Sequence, residues 1–213
     1  MHPHVVWNYF EDHAGQMVAK RLHSGYTFFF NNGGLFELSV NPVFELIERP
    51  FKIHFDSPPI PPGSYGWTEY QAWLSTDTSR ALSGSVRATT GGLWSGTQRT
   101  VQASVTVKPS YNFRATLGLQ RTDASLDLPP TDFVTSIWTL RANYSFTTNM
   151  FLDSLVQYHQ DRGLFNANIR FNFMHHPLSD LFIVYNEQRF TTPDNPTPPG
   201  RALIVKFTQM FSF

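Results

Sequence analysis

The sequence contains no cysteine, which excludes disulfide frameworks, thiolate metal sites and thiol nucleophiles together. It has no excess of either charge. Sixteen Lys and Arg balance 16 Asp and Glu, so nothing draws the chain electrostatically to nucleic acid. Charged residues make up only 15% of its 213 positions, against roughly 25% in ordinary soluble domains. No run approaches the ~20 consecutive apolar residues of a membrane helix, and mean hydropathy is −0.27. The opening Met1-His2-Pro3-His4 does not read as the basic and apolar stretch of a leader, so any export signal is expected upstream.

What is present is aromatic. Phe, Trp and Tyr reach 15%, with 20 Phe, more than a soluble core of this size needs. A chain polar on average yet rich in aromatics suits a wall in which only every second residue meets lipid. The C-terminal segment has that pattern: Leu203, Val205 and Phe207, then Phe211 and the terminal Phe213, share one face. Ile204, Lys206, Thr208, Met210 and Ser212 share the other, and Gln209 is the one polar residue on the apolar side. Strict period-two alternation is what a strand between hydrocarbon and a polar interior requires. Phe207, Phe211 and Phe213 resemble the terminal signal read by the machinery that inserts bacterial outer-membrane barrels.

The same alternation recurs upstream. Phe165, Ala167, Ile169, Phe171 and Phe173 alternate with asparagines and Arg170. Trp138, Leu140, Ala142 and Tyr144 do so with Thr139, Arg141 and Asn143, and Phe36, Leu38, Val40, Pro42 and Phe44 oppose Glu37, Ser39, Asn41 and Glu45. No segment of comparable length repeats every 3.6 residues as an amphipathic helix would. The expectation is an all-β, antiparallel transmembrane β-barrel with about 12 strands in this chain, a single domain over 1–213, possibly part of a larger barrel.

Connections counted back from a periplasmic C-terminus should alternate long outside and short inside. Residues 191–200, 121–131 and the proline-rich 55–66 are expected as long outer loops, with 159–163 outside and 91–96 intermediate. Residues 175–180, 146–149, 108–112, 75–80 and 31–34 are expected as short inner turns. Asn31-Asn32-Gly33-Gly34 has tight-hairpin chemistry. Pro42 falls inside a strand and cannot donate to a ladder, which predicts a bulge or a break in pairing. Trp67, Tyr70, Trp138, Tyr144, Phe146, Tyr158 and Phe211 fall toward strand ends, as rings at headgroup depth do.

Opposite the apolar stripe stand Arg21, Glu37, Glu45, Glu69, Arg87, Arg114, Arg141, Asp153, Arg170 and Lys206. These are expected to face the lumen, either as a charged constriction or as ion pairs that fill it. Their mixed signs argue for no particular ion. Eight histidines invite a metal, but no ligand spacing such as His-Glu-x-x-His occurs. His2 and His4 lie at the terminus, and the adjacent His175 and His176 point apart in extended backbone. No metal or other cofactor is expected. His159 and Asp161, with Asp153 below, could serve a rim hydrolase only if another strand supplied a partner. No Gly-x-Ser-x-Gly elbow is present, and no catalytic residue is assigned.

Ser39-Val40-Asn41-Pro42-Val43-Phe44-Glu45, Tyr65-Gly66-Trp67-Thr68-Glu69-Tyr70, Leu140-Arg141-Ala142-Asn143-Tyr144-Ser145-Phe146-Thr147-Thr148-Asn149 and Asp180-Leu181-Phe182-Ile183-Val184-Tyr185-Asn186-Glu187 carry a resemblance. They are similar to the C-terminal barrel of a large uncharacterised bacterial family, over residues 35–213. Its members often bear an N-terminal carbohydrate-binding module of the family-nine type. The resemblance implies a barrel in the bacterial outer membrane and transfers no catalytic residue. An export signal and further domains are then expected upstream, making the chain a C-terminal fragment. The expected partners are outer-membrane lipid, the barrel assembly machinery and small polar solutes, saccharides among them, with no nucleic acid. The expected function is a pore or uptake channel rather than an enzyme. The alternatives are a non-conducting anchor for an upstream binding domain or membrane complex, and an outer-membrane hydrolase.

Overall fold

The structure is a computed structural model, describing residues 1–54, 57–127, 129–191, 198 and 200–210. Among the described residues there is no helix. Twelve strands form one antiparallel sheet that hydrogen-bonds in chain order from β1 to β12. They are β1 (His2–Glu11), β2 (Met17–Phe29), β3 (Leu35–Ile47), β4 (Gly63–Ser75), β5 (Leu82–Leu93) and β6 (Gly96–Ser110). The second half holds β7 (Phe113–Asp127), β8 (Pro130–Thr147), β9 (Met150–His159), β10 (Leu164–His176), β11 (Ser179–Phe190) and β12 (Gly200–Thr208). Among the described residues β1 pairs with β2 and β12 with β11, each through a single ladder.

Contacts divide the chain into two compact units. Unit one comprises residues 1–78, 84–103 and 120–135; unit two comprises 79–83, 104–119 and 136–213.

In unit one the registers put His2, His4 and Asn8 of β1 level with Thr27, Gly25 and Arg21 of β2. The same rows continue through Glu37, Ser39 and Val43 of β3 to Trp73, Gln71 and Trp67 of β4, with Glu45 and Tyr65 one step further along the same face. One face is therefore polar. Along β3 the relative exposures are Glu37 8%, Leu38 49%, Ser39 5%, Val40 41% and Asn41 0%. The polar residues are the buried ones. Val5, Trp7, Tyr26, Tyr70 and Val86 are likewise exposed on the apolar face.

Unit two repeats the alternation. Arg170 of β10 is level with Asp153 of β9, and Asp153 with Asn143 of β8. On the opposite face Trp138, Leu140, Tyr144, Phe146, Ile169, Phe173, Leu203, Val205 and Phe207 are exposed.

Local chemistry explains the turns. Gly33 adopts φ +82° in the β2–β3 turn, a left-handed conformation that glycine takes at little cost. There Phe30 N–H donates to the Gly34 carbonyl at 2.8 Å and Gly34 N–H to Asn32 Oδ1 at 3.0 Å. Pro42 breaks pairing as its missing donor predicts. The β2–β3 ladder skips from Arg21↔Val43 to Ser24↔Val40, while the β3–β4 ladder runs through Pro42↔Thr68.

Two expectations are corrected. Residues 121–131 are not a long loop, because β7 continues to Asp127 and β8 begins at Pro130. Alternation persists there: Ala124 and Leu126 bury themselves with Ile60 and Leu93, against Phe51, Trp94 and Phe133. Beyond β3, residues 57–62 supply Ile60, fully buried, and a Phe51↔Ile60 bridge ties it to residues 48–54. Second, Trp67 lies on the polar face, level with Val43 of β3, where its indole donates to Glu69 Oε1 at 3.2 Å. Trp138, Tyr144, Phe146 and Tyr158 keep to the apolar face.

Candidate functional site

Unit one gathers its polar side chains into two hydrogen-bonded groups. In the first, the Nε2 atoms of His4 and His23 stand 2.9 Å apart. Glu37 approaches them with Oε2 at 3.8 Å from His4 Nε2 and Oε1 at 3.7 Å from His23 Nε2. Behind this trio, His23 Nδ1 meets Asn41 Oδ1 at 2.7 Å and Thr27 Oγ1 donates to Glu37 Oε2 at 3.1 Å. Gly25 lies beneath the rings. A Cβ on it would fall 2.6 Å from His4 Nε2 and 3.0 Å from His23 Nε2, so the pair meets only because position 25 has no side chain. The β2–β3 interruption opposite Pro42 falls at His23 and Asn41, and a side-chain bond replaces the missing ladder there.

The second group centres on Glu69. Arg21 donates to its Oε2 at 2.7 Å, and Trp67 and Gln98 approach Oε1 at 3.2 and 3.4 Å. Nearby polar residues follow the same logic: Trp94 donates to Glu45 at 2.7 Å, and the Arg87 guanidinium lies 4.7 Å over the Trp73 ring. Buried carboxylates such as Glu37 and Glu69 need such partners, since an uncompensated one costs several kcal/mol.

Unit two carries a different balance. A cavity of about 730 Å³ is lined by Arg114, Arg141, Arg170, Asp153, Asn143 and Asn168 among others. Asn143 donates to Asp153, and Arg170 stacks 5.3 Å over the Phe182 ring. No ion pair joins Arg114, Arg141 or Arg170 to a carboxylate among the described residues. Three guanidiniums thus face one aspartate, and each is donor-only and permanently charged. Lys206, level with Phe182 on the edge strand β12, is exposed.

The charged residues expected to face the lumen stand on the polar faces of these units, and the geometry sorts them in a way alternation did not reveal. Glu37, Glu45 and Glu69 belong to unit one with Arg21 and Arg87; Arg114, Arg141, Arg170 and Lys206 belong to unit two with Asp153. His159 ends β9 opposite Leu164 and Ile137, and no hydrogen bond joins it to a serine or carboxylate among the described residues. His175 binds Gln209 at 2.8 Å and stacks on Phe207. Phe211 and Phe213 lie outside the described residues. Missing from the sequence reading was the His4–His23–Glu37 trio, whose members are 19 and 14 positions apart and meet only through strand register.

Together these features define an all-β antiparallel protein whose apolar face is exposed and whose polar face carries its internal bonding. The chain matches no family model, no curated protein and no solved structure.

Proposed function

We propose that the chain is a transmembrane β-barrel of a bacterial outer membrane and that its polar face lines a path for small polar solutes. The observation that carries this is the exposure pattern along β3, with Leu38 and Val40 outward and Glu37, Ser39 and Asn41 buried. Fully burying one large aliphatic side chain is worth about 1.5–3 kcal/mol. A sheet that leaves such residues outside on strand after strand in water forgoes the main driving force for folding. Against hydrocarbon the same arrangement is stable, provided every backbone donor finds a lateral partner. Closure of the sheet is part of the proposal, because a barrel has no edge. The exposed Leu203, Val205 and Phe207 of β12 suit a terminal strand offered to the assembly machinery. The resemblance to barrels that follow a carbohydrate-binding module agrees with this reading.

The unit-two cavity suggests the solute class. Arg114, Arg141 and Arg170 present donors only, which favours anions and acceptor-rich molecules such as saccharides. A second reading, a non-conducting anchor, is favoured by unit one, where Ile60 and its loop pack into a core and the acidic residues are bonded to neighbours.

Planar-bilayer recording of the purified chain separates the two. Discrete conductance steps are expected, with a reversal potential in a salt gradient that moves toward the cation side when Arg114, Arg141 and Arg170 are all changed to Ala. Silent membranes containing correctly inserted protein would remove the pore and leave the anchor.

A further inference from the structure

We propose that His4, His23 and Glu37 form a binding site for a divalent transition metal of the zinc class, on the polar face of unit one. Their ligand atoms, one from each residue, all lie within 4.8 Å of one another. Two imidazole nitrogens and a carboxylate oxygen are the donor set that zinc and its neighbours take, leaving a further position for water or a small anion.

The distances fit an ion at the centre of the trio. Tetrahedral zinc with bonds of about 2.0–2.1 Å holds its ligand atoms roughly 3.3 Å apart. The two imidazole nitrogens stand 2.9 Å apart, Glu37 brings Oε2 to 3.8 Å from His4 and Oε1 to 3.7 Å from His23, and one atom from each residue falls within 4.8 Å of the others, so ligation asks the carboxylate to turn one oxygen toward both rings and the rings to part slightly.

The surroundings prepare the donors. Asn41 Oδ1 is an acceptor, so His23 presents N–H at Nδ1 and a lone pair at Nε2, the form that ligates a metal. Thr27 donates to Glu37 Oε2 and steadies the carboxylate. Asn41 is fully buried and Thr27 nearly so, and losing such an outer partner typically costs about 10–100-fold in metal affinity. Gly25 is the third preparation. Its φ is not in the left-handed region, so backbone conformation does not demand glycine there, whereas the space under the two rings does.

The alternative occupant of the site is nothing, with the two imidazoles hydrogen-bonded to each other. In that arrangement His4 Nε2 must donate, since the His23 lone pair can only accept. This leaves Glu37, buried and ionisable, about 3.7 Å from the nearest imidazole nitrogen with only the Thr27 hydroxyl as hydrogen-bond donor. A dication supplies the missing compensation.

The test uses the full chain without a histidine tag, folded in detergent micelles and titrated calorimetrically with zinc chloride. Saturable binding of one zinc per chain is expected, with magnesium chloride giving no heat. Glu37→Gln, Gly25→Ala and His23→Ala should each weaken zinc roughly tenfold or more, while His175→Ala leaves it unchanged. Glu37→Gln preserves shape, so it guards against a variant that merely misfolds. Zinc-edge X-ray absorption of the loaded wild-type chain should give two imidazole nitrogens plus oxygen. No saturable zinc binding at millimolar concentration overturns the proposal. So does stoichiometric zinc that survives the His4→Ala, His23→Ala double variant, or an absorption spectrum lacking imidazole.

Discussion

At the scale of one side chain, Val40 separates the two solvents that could surround this sheet. It is exposed between the buried Ser39 and Asn41. If water lay outside, Val40→Arg would be an ordinary surface change of within about ±0.5 kcal/mol. Facing hydrocarbon, an arginine costs about 2–4 kcal/mol near the bilayer midplane and less toward the interfaces. Urea unfolding of the vesicle-inserted protein should therefore show Val40→Arg destabilised on that larger scale. An unchanged midpoint would place water on the apolar face. Which residues share a face was legible in the sequence, because a period of two fixes it whatever the partners are. What touches what was not. His4, His23 and Glu37 belong to three strands, and their meeting depends on the His4↔Gly25 and Gly25↔Ser39 registers, which turn lengths set and no motif records.

Among the elements, the segment 48–62 is where composition misleads. Its prolines mark it as a connection, which it is, but say nothing of where its apolar residues go. Ile60 is fully buried with Leu93, Ala124 and Leu126, and the Phe51 ring meets Trp94 edge-on at 5.2 Å. The same packing explains why β7 and β8 extend through positions read as loop. Ala124 and Leu126 have an apolar partner to cover, so pairing continues beyond the stretch that alternation alone assigned to strand. Ile→Ala in such a setting costs about 2–5 kcal/mol. At 1.4 kcal/mol per tenfold, Ile60→Ala should raise the open population of the segment by roughly 30-fold or more, and proteolysis tracks that population when opening is fast. Trypsin cleavage after Lys52 is expected to accelerate accordingly, with the strands otherwise retained on mass analysis. An unaltered cleavage rate would mean Ile60 does not hold the segment down.

For the molecule as a whole the unresolved demand is at its edges. β1 and β12 each have one ladder among the described residues, yet Val5, Val6, Trp7 and Phe10 on one, and Leu203, Ile204, Val205 and Phe207 on the other, are exposed on both faces. In an antiparallel pair only part of an edge strand's N–H groups donate to its neighbour; the rest point outward. Each outward group left unbonded in hydrocarbon costs several kcal/mol, so the membrane reading requires that both edges be satisfied, by each other or by added strands. Amide hydrogen exchange on the chain folded in micelles measures this directly. In a closed barrel, the outward amides of β1 and β12 are protected to the same degree as those of β3 or β10, which have neighbours on both sides. Rapid exchange at alternate positions of both edge strands, with β2 and β11 still protected, would show an open sheet. An open sheet cannot cross a bilayer unaided, so the pore would then need further strands from beyond these 213 residues.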